Sequence, residues 1–305
     1  MPIEATRKVW MDGEYVDWDK ATVHVLTPSL HYGWGVFEGI RAYDTALGTA
    51  VFRLTDHMQR LYRSAKIYHM EPPISLEGAI KVTKDLIAMN EVRECYIRPV
   101  VYLGYGEIGL NPLNSKISMA IACWPWGAYL GEEAFGTGVR AKISSWRRLD
   151  PNVIPPAAKA TGQYLNSSLA KAEAIKAGYD EGILLNTNGY VTDGSGENLF
   201  VVRDGALITP PLAAGCLGGI TRASIIRIAA DAGIPVLEAD LVRTDLYLAD
   251  EAFFTGTAAE VVPIREVDDR VLGDPGPITR RVQEVFVAAT RGRDERYRDW
   301  LEPVG

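Results

Sequence analysis

Short runs in which apolar and polar residues alternate open the chain, and a helical period takes over only after residue 54. Residues 7–11 and 14–18 flank Asp12-Gly13, a strong signal for a hairpin with a type I′ turn. Further runs of strand length follow at 22–26, 36–43 and 50–54. Over 55–70, Met58, Leu61, Ala65 and Tyr68 share one helical face behind Thr55 as N-cap, and Ser75 caps a second helix that reaches Asn90. Strand-like runs at 96–103 and 117–124 close this half. Residues 125–138 are glycine-rich and carry no period, so they predict a connection between domains. Beyond it the pattern predicts a strand at 139–146, a proline-rich loop at 151–156 and a helix over 161–177. Strands at 182–186, 199–203 and 206–209, a helix over 221–233, strands at 236–241 and 252–255 and a helix over 277–290 complete it. Strands and helices mix without a regular βαβ beat, which predicts the α+β class. The expected division is a small N-terminal domain over 1–127, a linker over 128–135 and a large domain over 136–305.

Composition narrows the function. Hydrophobic residues make up 47% of the 305 and charged residues 23%, the balance of a soluble globular protein. Acidic residues outnumber basic ones by 39 to 32, for a net charge of −7, which argues against nucleic acid as a partner. Cys95, Cys123 and Cys216 form no CxxC pair, and the scattered His24, His31, His57 and His69 offer no metal-binding spacing. The first residues have no apolar core of a secretory signal, and the longest uncharged stretch, 117–131, is too short for a bilayer and contains Pro125. A cytoplasmic protein with no membrane partner and no metal is the expectation.

Several segments carry possible chemistry. Gly104-Tyr-Gly-Glu-Ile-Gly109 matches GxGxxG after a strand, but Asn111-Pro112 follows instead of a helix, so it predicts a loop and not a dinucleotide site. Lys159 lies among small residues just before a helix; a lysine meant to form an imine needs apolar surroundings that ease loss of its proton, although most lysines so placed are merely solvated. Asp193 sits at a strand end and alone would be a turn residue. Leu217-Gly218-Gly219-Ile220-Thr221-Arg222 opens a helix with two glycines and a hydroxyl, which suits an anion as well as it suits an ordinary capped turn. Thr255-Gly-Thr257-Ala258 repeats that logic. Tyr96 and Arg98 share a strand face, where a guanidinium among aromatic rings reads carboxylates, unless Pro99 marks an edge strand with its arginine in solvent. Arg60, in His57-Met-Gln-Arg60, would ordinarily be a solvated helix residue.

A lysine for an imine, an acid for a ring nitrogen and a glycine–threonine phosphate cradle together describe a pyridoxal-phosphate site. On these blocks, with His31-Tyr32-Gly33, Val36-Phe37-Glu38-Gly39-Ile40-Arg41, Tyr96-Ile-Arg98-Pro99, Ala158-Lys159-Ala160 and Gly196-Glu197-Asn198-Leu-Phe200, the chain resembles the branched-chain amino acid aminotransferases of the class IV (fold type IV) pyridoxal-phosphate enzymes over nearly its whole length. The resemblance implies a two-domain fold like that of D-amino-acid aminotransferases, with small amino acids and 2-oxo acids as substrates. Lys159 would hold the cofactor and shuttle the proton between Cα and C4′, and Asp193 would pair with the pyridine nitrogen. Arg60, Leu217, Gly219, Ile220, Thr221 and Thr257 would hold the phosphate, Tyr164 the phenolic oxygen, and Glu197 would support them. Tyr96 with the amides of Thr257 and Ala258 would take the α-carboxylate, and Tyr32 and Arg98 the second carboxylate of 2-oxoglutarate. Phe37, Tyr129 and Tyr164 would wall the apolar pocket beside Gly39 and Arg41, with Leu110 arriving from a partner subunit. That arrangement implies at least a homodimer, and a trimer of dimers above it.

Three departures stand out. Asp193 replaces the family's usual glutamate, Gly218 replaces a common proline, and the 104–112 loop carries Tyr105 and Glu107 at unfamiliar places. A D-amino-acid or (R)-amine aminotransferase, and an aminodeoxychorismate lyase, remain alternatives on the same scaffold.

Overall fold

The computed structural model describes residues 3–46, 48–127 and 132–305. Two units divide the chain: Met1–Trp126 with Ala158–Gly162 and Ala289–Gly305, and Gly127–Ala157 with Gln163–Ala288. Two segments thus return to the first unit from later in the chain, for which a single cut near 128–135 makes no provision.

The first unit is one antiparallel sheet with helices on a face. Strands β1 (Lys8–Met11) and β2 (Glu14–Asp17) form the expected hairpin, and Asp12 and Gly13 both have positive φ, as its turn requires. Helix α1 (Pro28–Tyr32) precedes β3 (Gly35–Phe37), β4 (Ile40–Thr45) and β5 (Gly48–Phe52). Helices α2 (Leu54–Ile67) and α3 (Leu76–Asn90) lead to β6 (Cys95–Leu103) and β7 (Ile117–Trp124). The sheet runs from the C-terminal strand Leu301–Pro303 through β5, β4, β6, β7 and β1 to β2, with β3 also on β6. Its core packs Trp10, Ile40, Val51, Ile97, Val101 and Ile121 against Leu54, Met58, Leu61 and Leu86 of the helices. Each such side chain contributes roughly 1.5–3 kcal/mol by leaving water.

Three expectations for this unit are corrected. Residues 22–26 form no strand; Thr27 turns back to the carbonyl of His24 and Val25 stands 70% exposed. The single strand expected over 36–43 is two, broken at Glu38-Gly39. Helix α2 has Arg53, not Thr55, as its N-cap residue.

The second unit is built on a sheet that returns on itself. Its elements are α4 (Glu132–Thr137), inside the segment expected as connection, β8 (Val139–Arg147), α5 (Tyr164–Lys176), β9 (Glu181–Leu185), β10 (Val191–Gly194), β11 (Asn198–Arg203) and β12 (Ala206–Thr209). Then come α6 (Ile220–Asp231), β13 (Val236–Glu238), α7 (Arg243–Tyr247), β14 (Glu251–Gly256), β15 (Glu260–Val267), β16 (Arg270–Val271) and α8 (Pro277–Thr290). The order β10-β9-β8-β15-β14-β11 closes because β10 also pairs with β11, through Asp193 opposite Asn198. Strand β15 escaped the sequence pattern because Pro263 and three charged residues interrupt it, yet it pairs with both β14 and β8. The GxGxxG segment is a loop, followed by one 3-10 turn at Pro112–Asn114.

Candidate active site

In the first unit the site begins with the break between β3 and β4. Those strands pair with successive stretches of β6, β3 at Val100–Tyr102 and β4 at Cys95–Ile97. Between them, the Glu38 amide donates to the Pro99 carbonyl at 2.9 Å. In a strand, a residue's N–H and C=O point to the same side, so the donor Pro99 lacks would have faced this break. Proline is therefore tolerated in β6 although the strand is central and not an edge. Gly39 completes the break: a Cβ there would lie 1.9 Å from the Tyr96 hydroxyl, so only glycine lets that phenol lie across it.

The break turns Glu38 inward. Fully buried, it accepts from Arg60 Nε at 2.6 Å and Nη2 at 2.8 Å, and its other contact is His57 Nδ1 at 2.7 Å. Burial alone would raise the Glu38 pKa, but the Arg60 and His57 charges and hydrogen bonds win and hold the carboxyl well below the usual range. Burial lowers the pKa of His57 against the pull of Glu38. Sequence reading named neither Glu38 nor His57 as functional; an acid inside an apolar strand pattern was the available signal.

Lys159 belongs to this unit. Its carbonyl accepts from the Phe37 amide at 3.0 Å, its own amide donates to Ser64 Oγ at 3.1 Å, and Ala160 bridges to Val36. Its Nζ lies 5.1 Å from the centre of the Phe37 ring. Arg98 does sit between aromatic groups, 4.7 Å from the Phe37 ring and 5.4 Å from that of Tyr96, and its buried Nε has no hydrogen-bond partner. It lines a cavity of about 560 Å³ whose other walls include Val9, Met11, Val100, Ala120 and Ala122. Trp126 packs on Tyr96 at 4.9 Å and was also missed. Arg41, opposite Tyr96 in register, is ion-paired with Glu94 at 3.4 Å. Tyr32 ends α1, and Leu110 projects from its loop. Tyr129 lies outside the described residues.

The second unit holds the other group. Asp193 and Asn198 face each other where β10 meets β11. Asn198 Nδ2 donates to Asp193 Oδ1 at 2.8 Å and to the Leu217 carbonyl at 2.9 Å, while the Leu217 amide donates to Asp193 Oδ2 at 3.1 Å. Arg148 Nη2 is 3.7 Å from Asp193 Oδ2. Burial raises the Asp193 pKa, and Arg148 with these donors opposes it. Glu197, buried beside Glu181, is pushed up to about 8. Helix α6 starts after Gly219, with no side-chain cap, so Ile220 and Thr221 present first-turn amides of the kind that bind phosphate. Thr257 and Ala258 lie in the β14–β15 turn after Thr255, whose buried hydroxyl has no partner. Tyr164 is the first residue of α5. A buried acid, an uncapped glycine-led helix start and an orphaned hydroxyl suit a pyridine ring carrying a phosphate.

The family model for class IV aminotransferases matches residues 35–267. The chain belongs to that family. The class IV aminotransferase is 48% identical to the branched-chain-amino-acid aminotransferase of Salmonella typhimurium, over 97% of both chains. Its fold matches the crystal structure of the Escherichia coli branched-chain amino acid aminotransferase with a TM-score of 0.96 at 47% identity, covering 98% of this chain and 100% of that one. The branched-chain amino acid aminotransferase of Thermobaculum terrenum, solved in its PLP form, matches with a TM-score of 0.93 at 38% identity over 99% of both chains. The two-domain α+β expectation for a class IV aminotransferase is thereby met. Among the described residues no helix is long and apolar enough to cross a membrane.

Proposed function

We propose that the protein is a branched-chain amino acid aminotransferase, moving the amino group of L-leucine, L-isoleucine or L-valine reversibly onto 2-oxoglutarate in two half-reactions. Arg98 carries this reading: a half-buried guanidinium between aromatic rings, lining an apolar cavity, with its buried Nε unpartnered. Its planar fork suits the second carboxylate of 2-oxoglutarate, and the rings that mask it suit a branched aliphatic side chain.

The cofactor is pyridoxal 5′-phosphate, which when bound supplies an electron sink for the charge left as substrate Cα loses its proton. Lys159 would hold it and carry that proton between Cα and the cofactor carbon C4′. Asp193 would keep the proton on the ring nitrogen, and Tyr164 would donate to the phenolic oxygen. Arg60, gripped along one edge by Glu38, would join Leu217, Gly219, Ile220, Thr221 and Thr257 around the phosphate, with Glu197 supporting. Tyr96 and the amides of Thr257 and Ala258 would orient the α-carboxylate, and Tyr32 would assist Arg98. Phe37, Tyr129 and Tyr164 would exclude water from the side-chain pocket, next to Gly39 and Arg41.

Leu110, Leu113 and Val25 are 84, 71 and 70% exposed, an apolar surface that suits association. The working unit is at least a homodimer in which Leu110 completes the partner's pocket, and a trimer of such dimers is a closed assembly that it could build. Three free, buried cysteines suit the reducing cytoplasm, where we place the enzyme.

Absorption spectra of the holoenzyme during titration with L-leucine, then 2-oxoglutarate, test the reading. Leucine should convert the cofactor to its amine form and the keto acid should restore it. No response to leucine, with a response to D-alanine, an (R)-amine or aminodeoxychorismate, would transfer the chain to one of the other activities of the scaffold.

A further inference from the structure

Asn198 touches both the acid and the glycine-led turn of the second unit's site. Its Nδ2 reaches two acceptors, a carboxylate oxygen of Asp193 and the main-chain carbonyl of Leu217. Two acceptors on one side fix the amide's orientation. The Oδ1 atom then faces Gly219, where a Cβ would come within 1.9 Å of it. The Leu217 amide closes the ring by donating to the other oxygen of Asp193.

We infer that Asn198 is a positioning residue that locks the acid for the cofactor's ring nitrogen to the turn that receives its phosphate, so that one rigid cofactor meets both together. The inference rests on the roles proposed above for Asp193 and for Leu217–Thr221. The need for such a lock is geometric. The ring fixes the nitrogen relative to the carbon that bears the phosphate arm, whereas the protein supplies the partners from a strand end and, 24 residues on, from the turn that leads into a helix. Asp193 has one methylene fewer than glutamate, so its carboxylate cannot search for the nitrogen and must be delivered by its backbone. Asn198 does this from the opposite strand, across the one residue pair that joins β10 to β11. Two contacts held at the right spacing bind as a chelate, the second at high effective concentration.

A chelate has a signature that mere support of either contact lacks. The full chain, stripped of cofactor, is titrated with pyridoxal 5′-phosphate, with pyridoxal and with inorganic phosphate, in wild type and in Asn198→Ala. Asn198→Leu, of similar shape, replaces the alanine variant should that fail to fold. Loss of the lock weakens pyridoxal phosphate about tenfold or more while pyridoxal and phosphate each stay within about threefold of wild type. Gly219→Ala should also weaken the cofactor, and adding Asn198→Ala to it should cost nothing further, because the clashing amide has gone. Phosphate alone weakening as much as the whole cofactor would make Asn198 only a prop for the turn. Pyridoxal alone weakening as much would make it only a partner of Asp193. Either result, or unchanged cofactor affinity, overturns the inference. Failure of the wild-type chain to bind pyridoxal phosphate would instead overturn the reading beneath it.

Discussion

Glu38 occupies the break between β3 and β4, where the flanking pattern, Val36, Phe37 and Ile40, asks for an apolar side chain. Its carboxylate is tolerated there because Arg60 and His57 hydrogen-bond both of its oxygens. Replacing it by glutamine leaves Arg60 buried against a neutral amide, and breaking such a pair costs about 3–5 kcal/mol. The urea midpoint of Glu38→Gln should fall accordingly, and affinity for pyridoxal phosphate should fall with it, since Arg60 loses its grip. Gly39 makes a narrower prediction. An alanine Cβ 1.9 Å from the Tyr96 hydroxyl displaces the phenol. Gly39→Ala should raise KM for both leucine and 2-oxoglutarate about tenfold or more and leave cofactor affinity unchanged, as steady-state kinetics and cofactor titration will read. At this scale Lys159, Asp193, Arg98 and Thr221 were legible as candidates only taken together, because each alone reads as an ordinary turn, cap or surface residue. Glu38, Asn198 and Trp126 were not, since each works through a neighbour distant in sequence or supplied by a different strand.

Among the elements, those with clean period and local caps were legible: α3 begins where Ser75 accepts from the Gly78 amide, as its sequence implies. Helix α2 shows the limit of such reasoning. Thr55 does not cap it; the Thr55 amide and hydroxyl donate at 2.7 and 3.0 Å to the carboxylate of Glu302, 247 positions away. A cap delivered by the far end of the chain leaves no trace near residue 55. The negative charge also suits the helix dipole. Glu302→Ala should therefore cost about 0.5–2 kcal/mol, the range for a lost N-cap, as a downward shift in the thermal midpoint with kcat retained. Residues 22–26 fail in the opposite direction. Their alternation is that of a strand, but among the described residues no strand pairs with them. Strand β15 was hidden by Pro263, which sits opposite Phe253 in a paired ladder.

For the whole molecule, buried ionisable groups set the dependence of stability on pH. Glu197 is pushed from 4.5 to about 8 by burial and by Glu181. Between those values the folded chain keeps a proton that the unfolded chain has released, so stability falls as pH rises through the window and is intact below it. His57 acts the other way, because its pKa is lowered on folding: the unfolded chain takes up a proton below about 6.5, and stability falls as pH drops. The two slopes oppose each other below 6.5 and leave Glu197 uncovered above it. Thermal midpoints of the holoenzyme should decline from pH 6.5 to 8, and Glu197→Gln should flatten that decline while steepening the fall below 6.5, where the Glu197 slope then no longer opposes that of His57.

The closed order of the second sheet has a bearing on how the chain is born. Strand β8 opens that sheet at Val139 and its partner β15 ends at Val267, so the ring cannot shut until residue 267 has left the ribosome. The first sheet waits longer still, because β5 receives its outer neighbour only with Leu301–Pro303. At ~5–20 residues per second, the edge of β5 stands bare for on the order of ten seconds or more. A nascent chain of this kind cannot finish one unit before starting the next, and chaperone demand during synthesis should persist until residues 301–303 emerge.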